Sequence, residues 1–283
     1  MNTNTNNMIT NKYNIIEKIK EGSFGTVFRC KNIRTGDLVA IKFETKDYDK
    51  KTLKNEAKIY QYLGKLDGFP QLKWFGTTEE NTYLVMDLMG KSLSETINYY
   101  KSFSLKTVLL LGIQIIKRIQ VLHEKHLLHR DIKPDNFLFG IGTATNKLHL
   151  IDFGLAKRFN YEGKHIPENK ISKIIGSPNF ISLNVHNGLE PSRRDDLESC
   201  IYVILNMLFG KLEWFYKNHS EMAFLKYKLT NVEEVPSFIK IILHYIREIR
   251  FDETPDYTYI INLLVKAFND NHYINDNKFE WSK

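Results

Sequence analysis

Five groups of residues in this chain have the types and the order needed to move a phosphoryl group. The densest is His129-Arg130-Asp131-Ile132-Lys133-Pro134-Asp135-Asn136, with Asp152-Phe153-Gly154 placed 21 residues beyond Asp131. Upstream lie Gly22-Ser23-Phe24-Gly25 and Val39-Ala40-Ile41-Lys42, and Glu56 follows Lys42 by 14 residues. Phosphoryl transfer asks a protein for positioning and charge neutralisation rather than for covalent chemistry. Gly22 and Gly25 allow backbone N–H groups to close over phosphates, with Lys20, Glu21, Ser23 and Phe24 completing that loop. Lys42 offers a point charge to phosphate oxygens, and Glu56 steadies its ammonium. Asp152 and Asn136 offer hard oxygen ligands to Mg²⁺. Asp131 can orient a substrate hydroxyl and accept its proton, while Lys133 offsets charge on the moving group. ATP and Mg²⁺ are therefore the expected cofactors.

Taken singly, each group has a plainer reading. Lys42 and Glu56 could be a solvated pair, Asp131 to Asn136 a charged turn, and Asp152 a turn former before Gly154. His129 reads as a packed structural histidine, and His123 and His126 as helix-end residues. All five groups in one order at this spacing are hard to obtain by chance.

The elements that must carry these residues are legible in outline. Tyr13–Ile19, Thr26–Cys30 and Leu38–Phe43 are β-branched and aromatic, with turn chemistry between them, and predict strands. A helix is predicted over 49–64, then strands at Leu72–Phe75 and Thr82–Met86. From there the pattern turns helical: 105–125 with Ser104 as cap, then 194–209, 219–229, 236–248 and 257–269. The seam is Asp87-Leu88-Met89-Gly90. The expected organisation is α+β and bilobal: a lead-in without structure over 1–12, a β-rich lobe over 13–87, a hinge at 87–90, an α-rich lobe over 91–270, and a short extension over 271–283.

Composition narrows the function classes. With 42% hydrophobic and 26% charged residues the chain has the balance of a globular protein. Two widely separated cysteines, Cys30 and Cys200, argue against a disulfide framework or a cysteine zinc site. The polar N-terminus lacks a signal-peptide pattern, and no apolar run reaches a membrane-spanning length, so an intracellular protein, cytoplasmic or nuclear, is expected, without membrane attachment. The net charge of +7 keeps anionic partners in view. It is local: residues 100–195 hold 15 basic and 8 acidic side chains, whereas residues 196–283 hold 10 and 13. That distribution favours ATP and acidic substrate peptides over nucleic acid as primary ligand, since no aromatic-basic recognition motif accompanies it.

The chain resembles the eukaryotic protein kinases, and among them the casein kinase 1 family. The more specific marks are Val39 to Glu44, Lys58-Ile59-Tyr60, Phe103 to Leu111, Lys133-Pro134-Asp135-Asn136-Phe137-Leu138, His165-Ile166-Pro167, Ser192 to Ser199 and Phe251 to Tyr257. Ser182-Leu183-Asn184 stands where most kinases have Ala-Pro-Glu. The resemblance implies a bilobal kinase fold with ATP between the lobes. It places Ile19, Val27, Ala40, Leu138 and Ile151 around adenine, Met86 as gatekeeper, and Asp87, Leu88 and Met89 at the hinge. It puts Asp196 at the start of the helix supporting the catalytic loop. It implies a serine/threonine protein kinase, active without obligatory activation-loop phosphorylation and directed to serine or threonine near acidic or already phosphorylated residues; a monomer is the default expectation.

Three departures stand out. Lys20 replaces the first glycine of the phosphate loop, which puts ATP handling in question. Asn179 stands where the resemblance expects an anion-binding arginine, although its companion lysine is retained as Lys226, a candidate for a substrate anion. Met222 to Lys226 replaces a basic stretch. Lys20 and Asn179 keep a second reading open, a pseudokinase or docking scaffold that binds nucleotide without efficient turnover. Ser172 and Ser177 are candidate autophosphorylation sites.

Overall fold

The computed structural model describes residues 8–9, 11–22, 25–45, 52–79 and 81–282. Ser23 and Phe24 of the glycine loop lie outside these residues. The chain separates into two compact units. The first runs to Gly90 and also contains Gly140–Thr145 and His149–Gly154; the second contains Lys91–Phe139, Asn146–Leu148 and the chain from Leu155 onward.

The first unit is an antiparallel sheet with one helix. Its strands are β1 (Met8–Ile9), β2 (Tyr13–Gly22), β3 (Gly25–Asn32), β4 (Leu38–Thr45), β5 (Leu72–Thr77) and β6 (Asn81–Asp87), in the order β1-β2-β3-β4-β6-β5. Helix α1 spans Thr52–Leu63. Alternation along β4 explains its two roles. Val39 and Ile41 point into a cluster with Ile9, Tyr13, Cys30 and Val85. Ala40 and Lys42 therefore take the opposite face, because successive strand side chains alternate. Residues paired across an antiparallel ladder share a face, so Val27 opposite Lys42 and Met86 opposite Ala40 belong to that second face. Gly25 closes the β2–β3 hairpin at φ 112°, and a Cβ there would collide with the Phe43 carbonyl oxygen, so only glycine fits.

Residues 1–12 are not wholly without structure. Met8 and Ile9 pair with Asn14 and Tyr13, and Ile9 is buried in the sheet core. The apolar side chain repays the ordering of two residues at the sheet edge.

The second unit is mainly helical: α2 (Leu93–Tyr100), α3 (Leu105–Glu124), α4 (Leu183–His186), α5 (Arg193–Phe209), α6 (His219–Lys228), α7 (Ser237–Glu248) and α8 (Tyr257–Asp270). Ser104 caps α3, its hydroxyl accepting from Thr107 N. Val108, Leu109, Leu111, Ile115, Ile119 and Leu122 are all buried along α3. Gly112 lets α5 approach closely: a Cβ there would sit 3.2 Å from Ile204 Cδ1. Helix α5 is buried on nearly every side, which is why it lacks an amphipathic pattern. Helix α2 was not anticipated, although Ser92 and Glu95 form a complete capping box before it. The C-terminal extension docks on this unit. Trp281 packs against Phe103 and Phe139, and its indole N–H donates to Asn146 Oδ1 at 2.8 Å.

Candidate active site

In the first unit, Lys42 Nζ lies 2.7 Å from Glu56 Oε2 and 3.1 Å from Asp152 Oδ1. Strand β4 projects the lysine, α1 supplies Glu56 from its buried face, and Asp152 follows Ile151 into the same unit. Burial disfavours the Lys42 ammonium, but the two carboxylates outweigh it and hold the lysine above its ordinary range. Burial likewise pushes the Glu56 carboxyl upward, opposed by Lys42. The solvated-pair reading is thereby excluded: both side chains are buried.

Asp152 has φ 66°, an uncommon backbone for a residue with a Cβ. Its N–H donates to Tyr60 Oη at 3.2 Å, and its carboxylate accepts from Gly154 N at 3.4 Å. Phe153 packs edge-on against the Tyr60 ring at 4.9 Å. Tyr60 thus anchors the Asp-Phe-Gly turn from helix α1, a role the sequence did not announce beyond the Lys58-Ile59-Tyr60 resemblance. Ala40 and Met86 are buried on the Lys42 face, and Val27 is half-buried. Ile19 is 52% exposed, next to an irregularity in the β2–β3 register between Lys18 and Lys20. Lys20 pairs with Val27, Glu21 with Thr26, and Gly22 with Gly25. Asp87, at the end of β6, accepts from Gln71 N at 2.9 Å and pairs with Lys73 at 2.7 Å; Leu88 and Met89 follow it.

In the second unit, the loop between α3 and the strand Phe137–Phe139 carries the other groups. Lys133 Nζ is 2.6 Å from Asp131 Oδ2 and 3.0 Å from Ser177 Oγ. Ser177 Oγ in turn donates to Asp131 Oδ1 at 2.8 Å. Asn136 Nδ2 donates to the Asp131 carbonyl at 2.8 Å, leaving its Oδ1 as the atom it can offer a cation. Leu138, in the Phe137–Phe139 strand, belongs to this unit. Ser177, by sequence a modification candidate, is a direct partner of Asp131 and Lys133. Its neighbour Gly176 has φ 98°, and a Cβ there would lie 2.6 Å from the Arg130 carbonyl oxygen.

The loop is held from beneath by Asp196, in the first turn of α5 as the resemblance implied. Asp196 accepts from His129 N at 2.7 Å, from Arg130 N at 2.9 Å and from His123 Nε2 at 3.0 Å. A carboxylate only accepts, so His123 carries its proton on Nε2 and its Nδ1 accepts from Tyr257 Oη at 2.7 Å. Burial opposes the Asp196 charge, yet these donors keep its carboxyl below the usual range. Burial also lowers His123, which stays neutral. His129 is fully buried.

One expectation about the substrate side changes. Lys226 is 0% exposed on the inner face of α6, one turn from buried Met222. Its ammonium donates to Pro178 O at 2.9 Å and Ile181 O at 2.8 Å and contacts His186 Nε2 at 3.0 Å. In that position it presents no surface to a substrate anion. Burial brings its pKa down to about 7. Asn179 gives its backbone carbonyl to the Trp214 indole N–H at 2.8 Å.

Residues 13–272 match the model of the protein kinase domain, and the chain belongs to that family. The antiparallel sheet unit and the helical unit are the two lobes of the bilobal kinase fold. Protein kinase domains transfer a phosphoryl group from ATP, with Mg²⁺, to protein substrates. Among the described residues, no helix is long and apolar enough to cross a membrane.

Proposed function

We propose that this chain is a serine/threonine protein kinase of casein kinase 1 type that phosphorylates acidic protein substrates. The Asp131–Lys133–Ser177 arrangement carries the proposal. A lysine two residues after the loop aspartate, with its ammonium against both that carboxylate and a hydroxyl, suits transfer to an aliphatic hydroxyl. Asp131 receives the proton of the attacking hydroxyl, and Lys133 offsets charge as it develops. Lys42, tethered by Glu56, holds the α- and β-phosphates. Asp152 and Asn136 supply the hard oxygens suited to Mg²⁺, which when bound neutralises phosphate charge. The adenine would rest against Val27, Ala40, Met86 and Ile151 of the first unit.

Activity without activation-loop phosphorylation is part of this proposal, and one ion cluster supports it. Glu190 Oε1 accepts Lys157 at 2.8 Å and lies 3.6 Å from Arg130. A carboxylate of the chain itself therefore neutralises the loop arginine, where an added phosphate would otherwise be needed. Asn179 and the inward Lys226 support acidic rather than phospho-primed substrates. The test is transfer from labelled ATP with Mg²⁺ to casein. Asp131→Asn and Asp152→Asn should each lose about 10²-fold or more in kcat while remaining folded. Full activity in Asp152→Asn overturns the mechanism. A thermal shift with ATP and Mg²⁺ but no turnover in the unaltered protein would favour the scaffold reading, which Lys20 in the phosphate loop supports.

A further inference from the structure

The segment Ser177–Ile181 is a tight turn that engages the carbonyls of Ser177, Pro178, Asn179 and Ile181. Ser177 O accepts from Phe180 N at 2.8 Å and Ile181 N at 3.1 Å. Pro178 O and Ile181 O accept from one ammonium, that of Lys226. Asn179 O accepts from Trp214. The first residue of this turn is the one whose hydroxyl bridges Asp131 and Lys133.

A lysine is an expensive group to place here. It is fully buried, with its Nζ 4.8 Å from the centre of the Tyr202 ring and 5.7 Å from that of Trp214. Helix packing alone would be served by an apolar side chain at this inward position, as at Met222 one turn earlier. What an apolar side chain cannot do is bind two carbonyls on opposite ends of the turn. The third neighbour, His186 Nε2, lets the amine keep both bonds whatever its charge. An ammonium donates to both carbonyls and to the imidazole; a neutral amine donates to both carbonyls and accepts from the imidazole N–H.

We propose that Lys226 is a positioning residue for phosphoryl transfer: by clamping both ends of the Pro178–Ile181 turn, it holds Ser177 against Asp131 and Lys133. Lys226 touches no reacting atom, so its effect passes through Ser177. This inference rests on the kinase reading, and its test separates the two.

Four proteins are compared with casein and labelled ATP: the unaltered chain, Lys226→Gln, Ser177→Ala, and the double variant. Lys226→Gln should lower kcat about tenfold or more, leaving KM for ATP within about twofold. In the Ser177→Ala background the same substitution should cost less than about threefold, because the group it positions is gone. Trp214→Phe, which keeps the packing and loses the Asn179 bond, should repeat this pattern more weakly. Amide hydrogen exchange supplies a readout that needs no turnover. Lys226→Gln should speed exchange in peptides covering 176–183 and leave α3 and α5 protected. Multiplicative effects of Lys226→Gln and Ser177→Ala overturn the proposal. So does uniform acceleration of exchange, which would mark loss of stability alone. Should the unaltered protein transfer no phosphate, the kinase reading fails, and the exchange pattern still decides whether the clamp exists.

Discussion

The Asp196 carboxylate holds the backbone N–H of Arg130 at 2.9 Å, across 66 positions of sequence. Arg130 has φ 65°, a left-handed backbone that costs of the order of 1–3 kcal/mol for a residue with a side chain. It persists because Asp196 also binds His129 N and His123, so the backbone just before Asp131 is over-determined. The backbone leading into Asp131 is here set by a residue far from it in sequence.

Removing that support should therefore cost stability and rate together. Asp196→Ala leaves two buried N–H groups and the His123 N–H without an acceptor, each worth about 1–3 kcal/mol. A loss of at least about 3 kcal/mol in urea unfolding is expected. Asp196→Asn should be milder in stability, yet still lower kcat by about 10²-fold, because one of its two oxygens becomes a donor facing an N–H. Equilibrium denaturation with steady-state kinetics checks both.

Gly176→Ala tests the neighbouring contact. Its Cβ would meet the Arg130 carbonyl at 2.6 Å in a backbone that L side chains rarely adopt. The turn must shift away from the catalytic loop. We expect kcat to fall by about 10²-fold with ATP binding intact, as measured by thermal shift and turnover on one preparation. Wild-type kcat in this variant would show that the segment tolerates displacement.

Lys226 makes a pH prediction with a definite sign. Burial takes its pKa from 10.5 to about 7. Between those values the unfolded chain binds one more proton than the folded chain, so this group's contribution to stability rises with pH. It is complete above 10.5 and is lost as pH falls toward about 7. The stability of the unaltered protein minus that of Lys226→Met should therefore increase by about 1.4 kcal/mol per pH unit from pH ~7 to ~9. Urea melts at three pH values measure it; a flat difference would show that the lysine stays charged in the fold.

Charge distribution yields a prediction for substrates. The positive excess of residues 100–195 surrounds the catalytic loop in sequence. Raising salt should increase KM for an acidic peptide more than for a neutral one of the same length, since screening weakens only the former's attraction. With Asn179 and a buried Lys226, a phosphoserine placed upstream of the target should give no larger gain than aspartate. A peptide series at two ionic strengths measures both effects.

Much of the architecture was legible in local pattern. The predicted strands and helices from Tyr13 to Phe268 coincide with observed ones to within a few residues, because alternation and helical periodicity report which face of an element is buried. Helix α2 escaped because its pattern is only eight residues long. Ile9 escaped because a single apolar residue in a polar run carries no period.

The chemical inventory is readable from the chain alone: Lys42 and Lys133, the carboxylates of Glu56, Asp131 and Asp152, Asn136 and a glycine loop, in the order of a protein kinase domain. Tertiary structure decided how those groups are held. Asp196 beneath Arg130, Tyr60 on Asp152, Ser177 on Asp131 and Lys226 within the 178–181 turn all join residues dozens of positions apart. Sequence spacing constrains only neighbours along an element. Whether a lysine on a helix faces water or two backbone carbonyls depends on what the rest of the chain packs against it.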